Sequence, residues 1–308
     1  MVANGLYFDT ATMYYRAFFA VPESITAPDG TPSGAIRGFL DMAASFIADY
    51  PAKQIAFAWD TDWRPSWRVN LIPSYKTHRL DEESVSDGIE QIPDTLSPQI
   101  AAISEILDAI GVARPGQVEF EADDILGTLV AQTKTKSIVV TGDRDLFQLV
   151  SDKHQNKVIS MNKGMKNLET VDDNYLLSKY GIKGSQYAHF SALRGDSSDG
   201  LPGVKGIGEK TAATLIMKFG NVEAILQAAE RDDPTLKPSV KANLLTSTSY
   251  LANAIEVVSV RTDAKLPKIL TRPSKIKNRK ELIYLANDWG LVKQVNRFLN
   301  SLSLPTIQ

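Results

Sequence analysis

The sequence predicts an α/β protein whose central, mostly parallel sheet carries helices on both faces, and three observations support this. Short apolar runs at 6–8, 55–59 and 138–140 have the length and composition of strands buried on both sides. Between them lie stretches with helical spacing: Ile36, Phe39, Leu40, Ala43, Phe46 and Ile47, then Ile100, Ile103, Ile106, Leu107 and Ile110. Each apolar run also ends in or near an acid, Asp9, Asp60 and Asp143 in turn. In open parallel sheets ligands bind beyond the carboxyl ends of the strands, so these acids fall where a site belongs.

Taken in order, the first run leads into the helix-like TATMYYRAF and the second follows the apolar period at 36–47. The stretch 64–93 then breaks the alternation. It is polar, lacks an apolar period, and is long for a connection inside a compact domain. Its basic and aromatic residues (Arg64, Trp67, Arg68, Tyr75, Lys76, Arg79) precede an acidic patch at 81–83. The segment reads either as a mobile, partly helical cover over a site or as a disordered insertion. A further short strand is expected at 158–160 with a turn at 162–166, and amphipathic helices with a basic loop beyond Asn221.

With 308 residues and 43% hydrophobic content the chain can bury one large core or two small ones. It contains no cysteine, which excludes disulfides, zinc–thiolate centres and cysteine nucleophiles, and its three histidines lack metal-ligand spacing. It has no signal-like or membrane-spanning segment, and a cytoplasmic protein is expected. The net charge of −2 hides an asymmetry. Nine acids sit in four groups: Asp9; Asp60; Glu121, Asp123 and Asp124; and Asp143, Asp145, Asp196 and Asp199. Setting them aside leaves 27 acids against 34 bases, a basic remainder suited to a polyanion. The basic run Arg272, Lys275, Lys277, Arg279, Lys280 reads equally as a solvated face or a phosphate-contacting patch.

Any one of these acids is most simply a helix cap. All nine at strand ends and helix starts point instead to hard divalent cations, which take oxygen ligands and offset the repulsion among packed carboxylates. Divalent ions held this way assist hydrolysis of phosphodiesters. The segment LPGVKGIGEKTAATLIMKFG, residues 201–220, has Gly203, Gly206 and Gly208 opening a helix, where backbone amides can meet a phosphate. Gly203 and Gly208 have P-loop spacing, but Glu209 stands where that loop needs lysine and no apolar strand precedes it. A hairpin gripping a nucleic-acid backbone fits better.

The segments YFDTATMYYRAFFA, AFAWD, PSYKTHR, FEADDILGTL, VVTGDRDLFQLVSD and ALRGDSSDGLPGVKGIGEKTA resemble, in order and spacing, the bacterial and phage 5′ nucleases. These are the 5′→3′ exonuclease domain of DNA polymerase I and the related flap endonucleases. The likeness runs from about residue 6 to 220 and weakens after it. No polymerase sequence follows, so a stand-alone enzyme is expected.

The resemblance implies a PIN/FEN-like fold with a nuclease core at 1–180 and an arch at about 64–93. A helix–three-turn–helix and C-terminal helical region at 181–308 would pack with it as one compact unit. It implies two or three Mg2+ or Mn2+ ions, one cluster on Asp9, Asp60, Glu121, Asp123 and Asp124, the other on Asp143, Asp145, Asp196 and Asp199. It places Lys76 and Arg79 on the scissile phosphate, Tyr75 against a terminal base, and Arg16 beside the 5′ strand, where an ion pair to a buried acid is the rival reading. Gly203, Lys205, Gly206, Gly208 and Lys210 would hold duplex DNA, with K+ on the hairpin carbonyls.

The implied activity is 5′→3′ exonuclease and flap endonuclease cleavage of 5′ flaps and nicked or gapped duplexes, RNA–DNA hybrids included. The enzyme is expected to be a monomer at the nucleoid, in replication and repair. The rival reading is a catalytically silent structure-specific DNA-binding protein. The chain departs from the family pattern at Thr10 and Gly200, where glycine and asparagine are usual; either change could alter how the metal ligands are supported.

Overall fold

In the computed structural model, which describes residues 2–81, 89–267 and 272–307, the three apolar runs form the centre of a five-stranded sheet. Its order is β2 (Ala52–Ala58), β1 (Ala3–Asp9), β3 (Ser137–Thr141), β4 (Lys157–Ser160), β5 (Glu169–Val171). The first four strands run parallel and β5 joins antiparallel at the edge. The register Asp9↔Ala58 and Phe8↔Val140 brings the carboxyl ends of β1, β2 and β3 level.

Side chains alternate across β1. Leu6 and Phe8 face one side and Tyr7 the other, all fully buried. On the Leu6/Phe8 face lie α1 (Thr10–Ala20), α2 (Gly34–Asp49) and α4 (Ser97–Ile110). Phe8 stacks on Phe57 with centroids 4.5 Å apart. The Tyr7 face packs on α5 (Ala122–Thr133), α6 (Asp173–Tyr180) and α7 (Tyr187–Arg194). The same cluster continues through α8 (Glu209–Phe219), α9 (Val222–Glu230), α10 (Pro238–Thr246) and α11 (Thr248–Val258).

The last helices, α12 (Arg279–Asp288) and α13 (Val292–Ser301), return to the other face. There Phe298 meets Phe57 edge-on at 6.1 Å. The helices beyond residue 180 therefore complete both cores that the strands begin. The basic run that leads to them is partly structural. Arg272 donates to the Ser301 carbonyl (2.6 Å) and Arg279 to that of Thr306 (2.8 Å).

Within the stretch 64–93, α3 (Ser66–Leu71) is helical, and a 3-10 turn forms at Thr77–Arg79. The two sides of this segment pair where Asp81 N donates to the Ile89 carbonyl and Gln91 N to that of Arg79. The expected acidic patch at 81–83 falls largely outside the described residues, as does the rest of 82–88. Among the described residues no helix is long and apolar enough to cross a membrane.

Candidate functional site

Parallel pairing sets the site. Asp9 is the last residue of β1, Asp60 follows β2 by two residues and Asp143 follows β3 by two. Asp123 enters from the first turn of α5, beside them. Together with Glu121 these acids form the floor of an open cavity of about 790 Å³. Its walls include Tyr14, Tyr15, Arg16 and Phe19 from α1, and Lys76, His78 and Arg79 from the 64–93 segment. Phe19 is 77% exposed, and the Nε of Arg16 is buried without a partner.

Several of the acids also cap helices. Asp9 accepts from Thr12 N (3.1 Å), and the Thr12 hydroxyl and Thr141 Oγ1 (2.7 Å) donate to its other oxygen. Asp60 accepts from Ala122 N at 2.7 Å and Asp143 from Asp145 N at 2.7 Å. Burial, neighbouring acids and the shortage of cations act together on this group. Asp60 is pushed up to about 7 and Asp143 to about 8, each by burial first. Among their neighbours, Glu121 and Asp9 add to the rise at Asp60, and Asp145, Asp199 and Asp9 to that at Asp143. Asp123 rises well above the carboxylate range, from burial and then from Asp143 and Asp9.

The other acids meet basic side chains. Lys76 Nζ lies 2.8 Å from Glu121. Arg68 forms a two-pronged pair with Asp124, both contacts 2.7 Å. Arg194 reaches Asp196 at 2.9 Å and Asp145 at 3.8 Å, and Arg79 reaches Asp199 at 3.2 Å. Burial works against the charge on Lys76, yet Glu121, Tyr75 and Asp199 together more than offset it and the ammonium stays well above its usual range.

The donor set is entirely oxygen and mostly carboxylate, the chemistry of a hard divalent cation. Mutual repulsion among Asp60, Asp123 and Asp143 is what such an ion relieves, so the residues fit one. Among the described residues no trio of Asp, Glu or His is arranged as a finished cage. Five of the nine acids are turned onto lysine or arginine, and seating an ion among them asks for side-chain rotation.

Comparison with known proteins follows this geometry. Residues 5–181 match the family described as 5′-3′ exonuclease, N-terminal resolvase-like domain, and residues 182–281 match 5′-3′ exonuclease, C-terminal SAM fold. The chain belongs to the 5′-3′ exonuclease family. It is 46% identical to a 5′-3′ exonuclease of Streptomyces coelicolor, over 96% of this chain and 99% of that one. It is 43% identical to one from Mycobacterium tuberculosis, over 86% of each. DNA polymerase I of Mycobacterium tuberculosis is 35% identical over 77% of this chain but only 25% of its own length.

Among solved structures, T5 5′-exonuclease with bound divalent metal ions (zinc) matches with a TM-score of 0.63 at 16% identity, covering 97% of this chain and 98% of that one. The catalytic core of Rad2 in complex with DNA substrate matches at 0.61 and 16%, covering 98% and 93%. At these identities the likeness is one of fold.

In this exonuclease several expected roles change. Asp124 is fully buried, and besides Arg68 its oxygens accept Glu121 N (3.1 Å) and Arg261 N (2.9 Å), so it is taken up by structure rather than facing the cavity. Tyr75 is 3% exposed with its hydroxyl donating to Glu121 at 3.0 Å, which leaves no face for a base. Lys76 lines the cavity but is 8% exposed and committed to Glu121. Arg16 carries no ion pair among the described residues, against the rival reading of a buried-acid partner. Asp143, expected with Asp145, Asp196 and Asp199, lines the same cavity as Asp9 and Asp123, while those three do not. Asp196 caps the short 3-10 turn Ser197–Asp199 that ends in Asp199.

The glycine hairpin divides similarly. Lys205, Gly206, Gly208 and Lys210 are exposed, with Gly208 capping the open start of α8. Gly203 instead turns inward at φ +67°, its N–H donating to the Tyr250 hydroxyl (2.9 Å), and a β-carbon there would run into the Arg194 carbonyl.

Gly200 has φ +70°, and any β-carbon there would run into the Ser74 carbonyl. Ser74 Oγ donates back to the Gly200 carbonyl at 2.9 Å, and Lys76 N donates to Asp199 at 3.0 Å. Glycine at 200 thus lets the 64–93 segment dock on the Asp199 loop. Thr10 is buried with its hydroxyl unpartnered, and nothing in the structure explains it.

Sequence reasoning missed Arg68 and Arg194 as partners of the acids. Arg68 meets Asp124 across 56 residues and Arg194 meets Asp145 across 49, so no local spacing signals those pairs; only Arg194–Asp196, two residues apart, has a local mark.

Proposed function

We propose that this exonuclease hydrolyses DNA phosphodiesters from 5′ ends and at the base of 5′ flaps, using two or three Mg2+ or Mn2+ ions on its acid floor. The observation that carries the reading is the convergence of three strand ends and the start of α5 on one open cavity, acidic below and basic and aromatic at the rim. Asp9, Asp60, Asp123 and Asp143 are the first holders of a cation, with Glu121, Asp145, Asp196 and Asp199 completing the shell. Divalent ions bound there supply a lowered pKa for water and stabilise the charge that gathers on the phosphate.

The chain's own part is to place the substrate. Arg79, Arg16 and His78 stand at the rim where a phosphate enters. An unpaired base finds aromatic surface on Phe19 and Tyr15 rather than on Tyr75, and such stacking is worth ~1–3 kcal/mol. Lys205, Lys210 and the exposed amides of the hairpin hold the duplex backbone, which positions DNA without reading its sequence. The same hairpin carbonyls are proposed to take K+, RNA–DNA hybrids are a second substrate, and the enzyme works as a nucleoid monomer.

A 5′-labelled flap duplex tests the reading in Mg2+, in Mn2+ and in EDTA, with Asp143→Asn beside the native chain. Short 5′ products from the native protein, absent in EDTA and in the variant, support it. Tight flap binding with no cleavage in either metal turns the assignment to a silent DNA-binding protein.

A further inference from the structure

Arg194, like Arg68, meets the acid set from outside the lining of the cavity. Four groups hold Arg194. Nη2 lies 2.9 Å from Asp196, 3.8 Å from Asp145 and 3.3 Å from Ser191 Oγ, and Nε donates to the Gly195 carbonyl at 3.0 Å. The Ser191 hydroxyl donates to the same oxygen of Asp145 at 2.8 Å. The guanidinium covers the Phe190 ring at 5.3 Å, its side chain is 9% exposed, and Nη1 is buried with no partner. A guanidinium is a permanent, planar charge, and these contacts hold it beside Asp145 and Asp196.

We propose that Arg194 is a positioning residue that fixes a permanent positive charge between Asp145 and Asp196. The Asp145/Asp196/Asp199 side of the site then takes a divalent cation far more weakly than the Asp9/Asp60/Asp123/Asp143 side. This rests on the metal-dependent reading above and deepens it. A guanidinium fixed among those carboxylates would repel a divalent ion that they held, and an anionic phosphate entering beside it would relieve the penalty. The two sides therefore load in order: one ion in the resting protein, the other with DNA.

The test is a Mn2+ titration of the chelator-stripped, DNA-free protein, with free Mn2+ read by electron paramagnetic resonance. Native protein is set beside Arg194→Gln, which drops the charge but keeps amide donors, and Arg194→Lys, which keeps the charge. Native protein should show one tight and one weak class of site. In Arg194→Gln the weak class should tighten by about tenfold or more while the tight class holds, and Arg194→Lys should match native. Two equal classes in native protein overturn the inference, as does a weak class that Arg194→Gln leaves unchanged. Should Arg194→Gln lose its near-ultraviolet circular dichroism, Arg194→Met, with an apolar chain on Phe190, carries the same comparison. Native protein that takes up no Mn2+ at all removes the metal reading itself, an outcome distinct from an indifferent Arg194.

Discussion

Two sets of carboxylates lie side by side in this molecule and are balanced in opposite ways. Asp9, Asp60, Asp123 and Asp143 have no lysine or arginine within ion-pair distance among the described residues; what partners they have are hydroxyls and backbone amides. Glu121, Asp124, Asp145, Asp196 and Asp199 each meet Lys76, Arg68, Arg194 or Arg79. The first set is poised for a cation from outside. The second carries its cations within the fold, and those cations tie the 64–93 segment and the α7–hairpin junction to the sheet. A carboxylate cluster thus mixes acids that wait for a ligand with acids that hold the walls in place.

The contrast is sharpest at Arg68, which is 2% exposed and also donates through Nε to the Val257 carbonyl at 3.0 Å. Removing one partner of a buried pair strands the other charge, which costs ~3–5 kcal/mol, while replacing both with apolar chains of similar volume is often neutral. Arg68→Met should therefore lose stability by that amount in urea unfolding, and Arg68→Met with Asp124→Leu should recover most of it. A single variant as stable as native would dissolve the distinction between the two sets.

Asp123→Asn or Asp143→Asn should behave the other way round. Cleavage of a flap duplex should fall by about 100-fold or more, since each removes charge that holds the cation. Stability in chelator should not fall, because a repelling carboxylate has become neutral. Loss of both stability and activity together would place these acids with the structural set.

The sequence shows all nine acids and hides which of them meet internal cations, for a physical reason. Asp9, Asp60 and Asp143 are legible because a parallel sheet places strand ends together and the apolar runs mark those ends. The parallel core, the helices α2 and α4 and the helical start of the segment after Gly208 follow from periodicity alone. Edge strand β5 has three residues and offers no period to read. The pairing of Arg68 with Asp124, and the burial of Tyr75, depend on α11 and α5 closing over α3, a long-range packing with no local mark. The resemblance puts Asp124 in one cluster with Asp123, yet successive residues at a helix start point in different directions.

The acid floor also ties stability to pH. Asp60 at about 7 and Asp143 at about 8 lie above the unfolded carboxylate value of roughly 4. Folding therefore favours their protonated forms, and stability in chelator should decline as pH rises from about 4 through about 8. Mn2+ should restore it, most at the alkaline end, where the acids are charged and protons no longer compete. Melting temperatures at pH 5.5 and 8.5, with and without Mn2+, check this. An equal effect of Mn2+ at both pH values would mean that the floor is not the binding site, and Asp143→Asn should flatten the decline in chelator.

The smallest effect separates basic residues by the same criterion. Arg79 is engaged with Asp199, whereas Lys205 and Lys210 are exposed on the hairpin beside the open start of α8. Only charge not already matched by an acid releases counterions when it meets a phosphate. Lys210→Ala should weaken flap binding in chelator modestly and lower the slope of log affinity against log salt by about 1. Arg79→Ala should change that slope less, because it frees Asp199 to repel the strand as it removes a cation that could attract it. If the two variants shift the slope equally, then Arg79 is not spoken for by Asp199 in solution, and the internally balanced set loses one of its members.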